Sequence, residues 1–165
     1  MQGHAVNAIR PAGVLELEDF LPYRLSVLSN RVSGAIARVY SERFDLGVTE
    51  WRVMAVLGRY PDLSASEVAQ RTAMDNVAVS RAVASLLEAG RLERETHGDD
   101  RRRSVLRLSA AGEAIYREVA PMAIAFEQRL LAGMDAAERA LLFRLLDRLD
   151  ELELQAEADV ANLRR

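Results

Sequence analysis

Asp100, Arg101, Arg102 and Arg103 stand together in HGDDRRRSVLRLS, residues 97–109. Three adjacent guanidiniums have two ordinary uses. They can decorate a solvated turn, or they can grip phosphates and enter a minor groove, where narrow A·T tracts attract arginine. Asp100 beside them suits the orienting of a guanidinium, with Arg102 as the expected partner, better than acid chemistry. A second candidate set, Asn76, Val77, Ala78, Ser80 and Arg81, opens the stretch DNVAVSRAVASLLEAG. An arginine fork matches O6 and N7 of guanine, and small apolar side chains meet thymine methyls. The plainer alternatives are a surface arginine paired with Glu50 or Glu88, and ordinary packing for Val77 and Ala78.

Other chemistries lack their residues. The chain has no cysteine, which removes disulfides, zinc-thiolate sites and thiol catalysis together. Its two histidines, His4 and His97, are far apart, and no carboxylate cluster has the spacing of a metal site. There is no nucleophile with its base and no phosphate-cradling glycine loop, so neither an enzyme nor a cofactor is expected. The 165 residues carry 22 basic side chains against 25 acidic ones, a net charge of −3. Every cation is arginine, through the base composition of the gene or through the chemistry of phosphate and base edges. Residues 71–108 reverse the balance, with eight arginines against six acids. A net acidic chain can still bind nucleic acid through such a local field. No run of eighteen uncharged apolar residues occurs, nor a basic start followed by an apolar stretch, so a cytoplasmic protein without membrane contact is expected.

Both arginine sets need elements to hold them. Residues 1–21 form an expected N-terminal arm, and Pro22 suits a first helical turn. Leu25, Leu28, Val32, Ile36, Val39 and Tyr40 then recur at helical spacing, predicting a helix over 22–44. Thr49 is the expected N-cap of the next, with Val48 and Val53 as its staple and an end near Pro61. Ser64 and Glu67 form a capping box for a short third helix, with Leu63 and Val68 as the staple. Asp75 caps a fourth that ends at Gly90, with Val79, Val83, Leu86 and Leu87 on its inner face. RLERET and SVLRLS alternate as strands around a tip containing Gly98. Ser109 caps a helix over about 109–132, Gly133 and Met134 break it, and Asp135 with Glu138 starts a leucine-rich last helix.

The fold class that follows is mainly α with a small β-hairpin wing. A winged helix-turn-helix over 48–108 is flanked by an N-terminal dimerisation helix, 22–47, and C-terminal dimerisation helices, 109–165. The flanks carry more apolar surface than the winged part could cover, which implies a homodimer.

TEWRVMAVL, SASEVAQRTAMDNVAVSRAVASLLEAGRLER and DRRRSVLRLSAAG, in this order, resemble the MarR family of bacterial transcriptional regulators, over roughly residues 20–150. The resemblance implies a homodimeric repressor on a pseudo-palindromic double-stranded DNA operator, released by a small-molecule inducer such as an anionic aromatic carboxylate. It makes 76–81 the recognition helix and Asp100–Arg103 the wing. Three wing positions depart from the family pattern: His97 where an acid is usual, Gly98 where proline is common, and Arg103 for a small residue. Trp51 resembles a position bordering the family's ligand crevice, and Arg24, Asn30 and Arg52 are the polar groups expected nearest it. The alternative for Trp51, beside Val53 and Met54, is a core tryptophan. The alternative for the whole chain is a winged-helix protein-interaction module that reads no DNA sequence.

Overall fold

Six helices and one hairpin follow each other along the chain in a computed structural model that describes residues 15–96 and 104–163. Helix α1, Leu21–Phe44, starts one residue earlier than expected, with Pro22 in its first turn. It ends at Asp45, whose left-handed backbone (φ 48°) lets its N–H reach the Ser41 carbonyl at 2.9 Å. Helix α2, Val48–Arg59, corrects the expected cap: Gly47, not Thr49, holds that position. Glycine has no side chain with which to cap, so Glu50 closes the turn from inside the helix, its Oε2 accepting the Gly47 N–H at 2.7 Å. The shift moves staple spacing from Val48 and Val53 to Leu46 and Trp51, and both of these are buried. Pro61 follows the end of α2 closely, as expected.

Helix α3, Ala65–Thr72, has the predicted reciprocal box. The Glu67 N–H donates to Ser64 Oγ at 3.2 Å, and the Ser64 N–H donates to Glu67 Oε2 at 2.7 Å. Ala73 turns the chain through the left-handed region (φ 50°), and Asp75 then caps α4, Asn76–Glu88, accepting from the Val77 and Ala78 N–H groups at 2.8 and 3.1 Å. Gly90, with φ 66°, ends α4 where a C′ glycine belongs. Strands β1, Leu92–Thr96, and β2, Ser104–Leu108, pair antiparallel with Leu92 opposite Leu108 and Thr96 opposite Ser104. A feature not foreseen widens this hairpin at its root. Leu63 bridges to Leu106, with the Leu106 N–H on the Leu63 carbonyl at 2.8 Å and the Asp62 N–H on the Leu106 carbonyl at 3.1 Å. Helix α5, Ala110–Leu130, is capped by Ser109, whose hydroxyl accepts the Gly112 N–H at 3.1 Å, and α6, Ala136–Leu163, is capped by Asp135.

The chain divides into two compact units, Met1–Val119 and Ala120–Arg165. In the first, the core draws on Val53, Met54 and Leu57 of α2, Val68 of α3, Val79, Val83 and Leu86 of α4, and Leu92, Leu106 and Leu108 of the hairpin. Each large apolar side chain removed from water contributes about 1.5–3 kcal/mol before entropy is counted, so this set holds three helices and the hairpin as one body. At its edge, the Arg91 guanidinium donates to the Phe44 and Asp45 carbonyls at the end of α1, while the Arg91 carbonyl accepts the Ser109 N–H at 3.1 Å. Arg91 thus ties α1, the α4–β1 junction and the start of α5 together. In the second unit, α6 carries exposed Leu141, Phe143, Leu145, Leu146 and Leu152.

Candidate nucleic-acid interface

Asp75 fixes where α4 begins, and burial of Val79, Ala82, Val83 and Leu86 against α2 and α3 fixes which face points inward. What remains outward is the predicted set. Asn76, Val77, Ser80 and Arg81 are exposed and Ala78 is half-buried. Val77 leaves 56% of its surface in water, which packing alone does not explain. Arg81 makes no hydrogen bond or ion pair with any described residue, so the expected alternative of pairing with Glu50 or Glu88 is not found. Glu50 is engaged elsewhere, on the Gly47 N–H and on the Ser85 hydroxyl at 2.6 Å.

The wing set, Asp100, Arg101, Arg102 and Arg103, lies outside the described residues, as do Gly98 and the expected Asp100–Arg102 pair. The root of the hairpin is described and holds a residue that sequence reasoning missed. Arg107 pairs with Glu95, diagonally across the two strands, and its Nε lies 3.5 Å from Asp62 Oδ1 before α3. That buried Nε has no hydrogen-bond acceptor among the described residues, so its attraction to Asp62 is Coulombic only. Alternation of Glu93, Glu95, Val105 and Arg107 on paired strands was the available signal.

The four residues assigned to a ligand crevice do not form one cluster. Trp51 is 9% exposed and packs between Tyr40 and Tyr116, with ring centroids 5.5 and 6.0 Å away. This is the core alternative for Trp51, and close approach at Gly58 makes room for the Tyr116 ring. Arg52, half-buried beside it, donates to Ser33 Oγ at 2.8 Å and so joins α2 to α1. Burial pushes the Tyr40 hydroxyl above its ordinary pKa, partly offset by the Arg52 charge. Asn30 and Arg24 are exposed on α1, and Arg24 is roughly 13 Å before Ser33 along the helix axis. Arg24 instead lines a groove of about 590 Å³ with Leu21, Tyr23, Leu25, Leu28 and Arg31.

A helix-turn-helix with an outward arginine, followed by a hairpin, is the arrangement shared by winged-helix proteins. The MarR family profile matches residues 44–103, which run from the end of α1 to the residue before β2. Over these residues the chain is similar to the MarR family. Two curated relatives are each 29% identical to it. The HTH-type transcriptional regulator BilQ of Clostridium symbiosum (strain WAL-14163) matches over 93 residues, 56% of this chain. A putative transcriptional regulatory protein for the hcr operon of Thauera aromatica matches over 116 residues, 69% of this chain. The matches span 65% and 70% of those proteins. A crystal structure of a MarR/EmrR family transcriptional regulator from Acinetobacter sp. ADP1 superposes with a TM-score of 0.78 at 29% identity, covering 86% of this chain and 99% of that one. These relatives are regulators rather than enzymes. Among the described residues no acid or histidine group has metal-binding geometry, and no described helix is long and apolar enough to cross a membrane.

Proposed function

We propose that this chain is a cytoplasmic transcriptional regulator of the MarR type that binds a pseudo-palindromic operator as a homodimer and represses until a small anionic aromatic ligand releases it. The observation that carries the reading is the outward face of α4: Arg81, without an ion pair among the described residues, beside exposed Val77 and Ser80, on a helix whose inner face is locked into the core. Desolvating a free guanidinium is offset when a guanine edge or a phosphate meets its fork. The regulatory names of the two curated relatives point the same way. Dimerisation by 22–47 and 109–165 around a DNA-binding part, 48–108, is supported by exposed Leu21, Tyr23, Leu25 and Leu28 on α1. No cofactor enters this reading. The ligand part rests on Arg52, where α1 meets α2 beside an aromatic stack, with Arg24 and Asn30 as further cations and donors on α1. A ligand there would act only by preferring a dimer whose α4 helices are wrongly spaced.

Affinity over a salt series tests the DNA reading. Half-site centres should lie about 10 base pairs apart or a multiple of that. Arg101→Ala and Arg103→Ala should weaken all duplexes alike and reduce the slope of log K against log salt by about 0.9 for each phosphate that is no longer neutralised. Arg81→Ala should instead relax preference at one operator position by about 1–3 kcal/mol while non-specific binding persists. Asp100→Ala should fall between the two, because it loosens the guanidinium it orients yet removes a negative charge. Wing variants with wild-type affinity and wild-type slope would reduce the arginine cluster to a solvated turn. A protein that binds no duplex at all would leave the interaction-module reading.

A further inference from the structure

The first turn of α2 and the outer edge of α4 face each other across a cleft lined by Gly47, Val48, Thr49, Glu50, Ala78, Arg81, Ala82 and Ser85. Ala78 and Ala82 are small, which lets the α2 backbone approach α4 closely. Glu50 spans the gap, one carboxylate oxygen taking the Gly47 N–H at 2.7 Å and the other taking the Ser85 hydroxyl at 2.6 Å. Resting on the reading of α4 as the DNA-reading helix, we propose that Glu50 is a positioning residue for DNA recognition, fixing the roll of α4 through Ser85.

Two physical points carry this. The buried face of α4 is held by apolar packing through Val79, Val83 and Leu86, a force without direction. A charge-assisted hydrogen bond at the helix edge has direction, and so resists rotation about the axis. Arg81 sits four residues before Ser85, on the same stripe of the helix. A roll of about 10° moves an atom roughly 6 Å from the axis by about 1 Å, more than the tolerance of about 0.5 Å for a preorganised site. The tie also keeps the carboxylate bordering Arg81 occupied on α2 and Ser85, and Arg81 carries no ion pair with it.

The experiment uses the full chain, a duplex selected by it from a randomised pool, and a scrambled duplex of equal length. Ser85→Ala removes the tie to α4 and leaves the Gly47–Glu50 turn intact. It should lower the ratio of selected to scrambled affinity by about three- to tenfold, the net size of one solvent-exposed hydrogen bond, with unchanged salt slope and little change in melting temperature. Ser85→Thr, which keeps the hydroxyl, should restore the ratio. Glu50→Ala should lose both the ratio and some melting temperature, and adding Ser85→Ala to it should cost no further discrimination. The proposal is overturned if Ser85→Ala keeps the wild-type ratio, if Ser85→Thr fails to restore it, or if the two alanine variants are additive. A wild-type protein that fails to prefer any duplex overturns the DNA reading and the proposal with it, whereas a discriminating wild type beside an unchanged Ser85→Ala overturns the proposal alone.

Discussion

Single residues set the geometry of this protein at two kinds of position, those that offer atoms outward and those that leave room. Arg81 belongs to the first kind, and its place was legible because Asp75 is a strong N-cap and the apolar spacing of Val79, Val83 and Leu86 fixes the inner face by subtraction. Gly112 belongs to the second. A Cβ there would stand 2.0 Å from the Arg91 carbonyl oxygen, a backbone atom that already accepts the Ser109 N–H. Gly112→Ala must therefore push α5 off the α4–β1 junction. The expected loss is about 1–3 kcal/mol, the range for overpacking a filled site, read as a lower denaturation midpoint in urea at unchanged slope. A midpoint equal to the wild type would show that α5 does not seat there. Nothing in the sequence around Gly112 announces this close approach, because its partner is a carbonyl 21 positions away.

At the scale of elements, caps were the readable feature wherever a side chain does the capping. Ser64, Asp75, Ser109 and Asp135 all cap where their types and spacing place them. The start of α2 was misread by two residues because glycine caps without a side chain, and Glu50 fits a first turn in either register. The Leu63–Leu106 bridge was not legible, since a one-residue pairing has no periodicity. The Ser64 box also gives α3 a pH dependence. Hydrogen bonds from the Ser64 hydroxyl and backbone hold the Glu67 carboxyl below the ordinary carboxylate pKa, and Arg71 lowers it a little further. A depressed folded value means that the contribution is present above the unfolded pKa and lost as pH falls through the folded one. Ser64→Ala should cost about 1 kcal/mol of stability at neutral pH, the loss of one cap, read as a lower melting temperature. The gap to wild type should narrow in acid, below the carboxylate range. A gap that stays constant through that range would separate Glu67 from the cap.

For the whole molecule, the deciding quantity is the apolar surface exposed on α1 and on α6. On α1, Leu21, Tyr23, Leu25 and Leu28 leave 40–58% of their surfaces in water, and in the second unit Leu141, Phe143, Leu145, Leu146 and Leu152 leave 40–48%. Scattered apolar residues are ordinary on a surface, but four within about two turns of one helix and five along another are not. This much was legible, because helical spacing of leucines is a local pattern. A stable dimer buries about 1,200–2,000 Å² in total, which stripes of this length on two helices can supply from each chain. Sedimentation at micromolar concentration should report a species near twice 18.3 kDa. Leu25→Glu with Leu28→Glu places two charges in the α1 stripe without touching the core of the first unit. That variant should sediment as a monomer with a hairpin and helix-turn-helix still folded, and it should lose operator affinity far more than a single half-site variant does, because two α4 helices no longer bind as one body. A wild-type chain that stays monomeric, or a charged variant that remains a dimer with full affinity, would mean that the α1 stripe faces something other than a second copy.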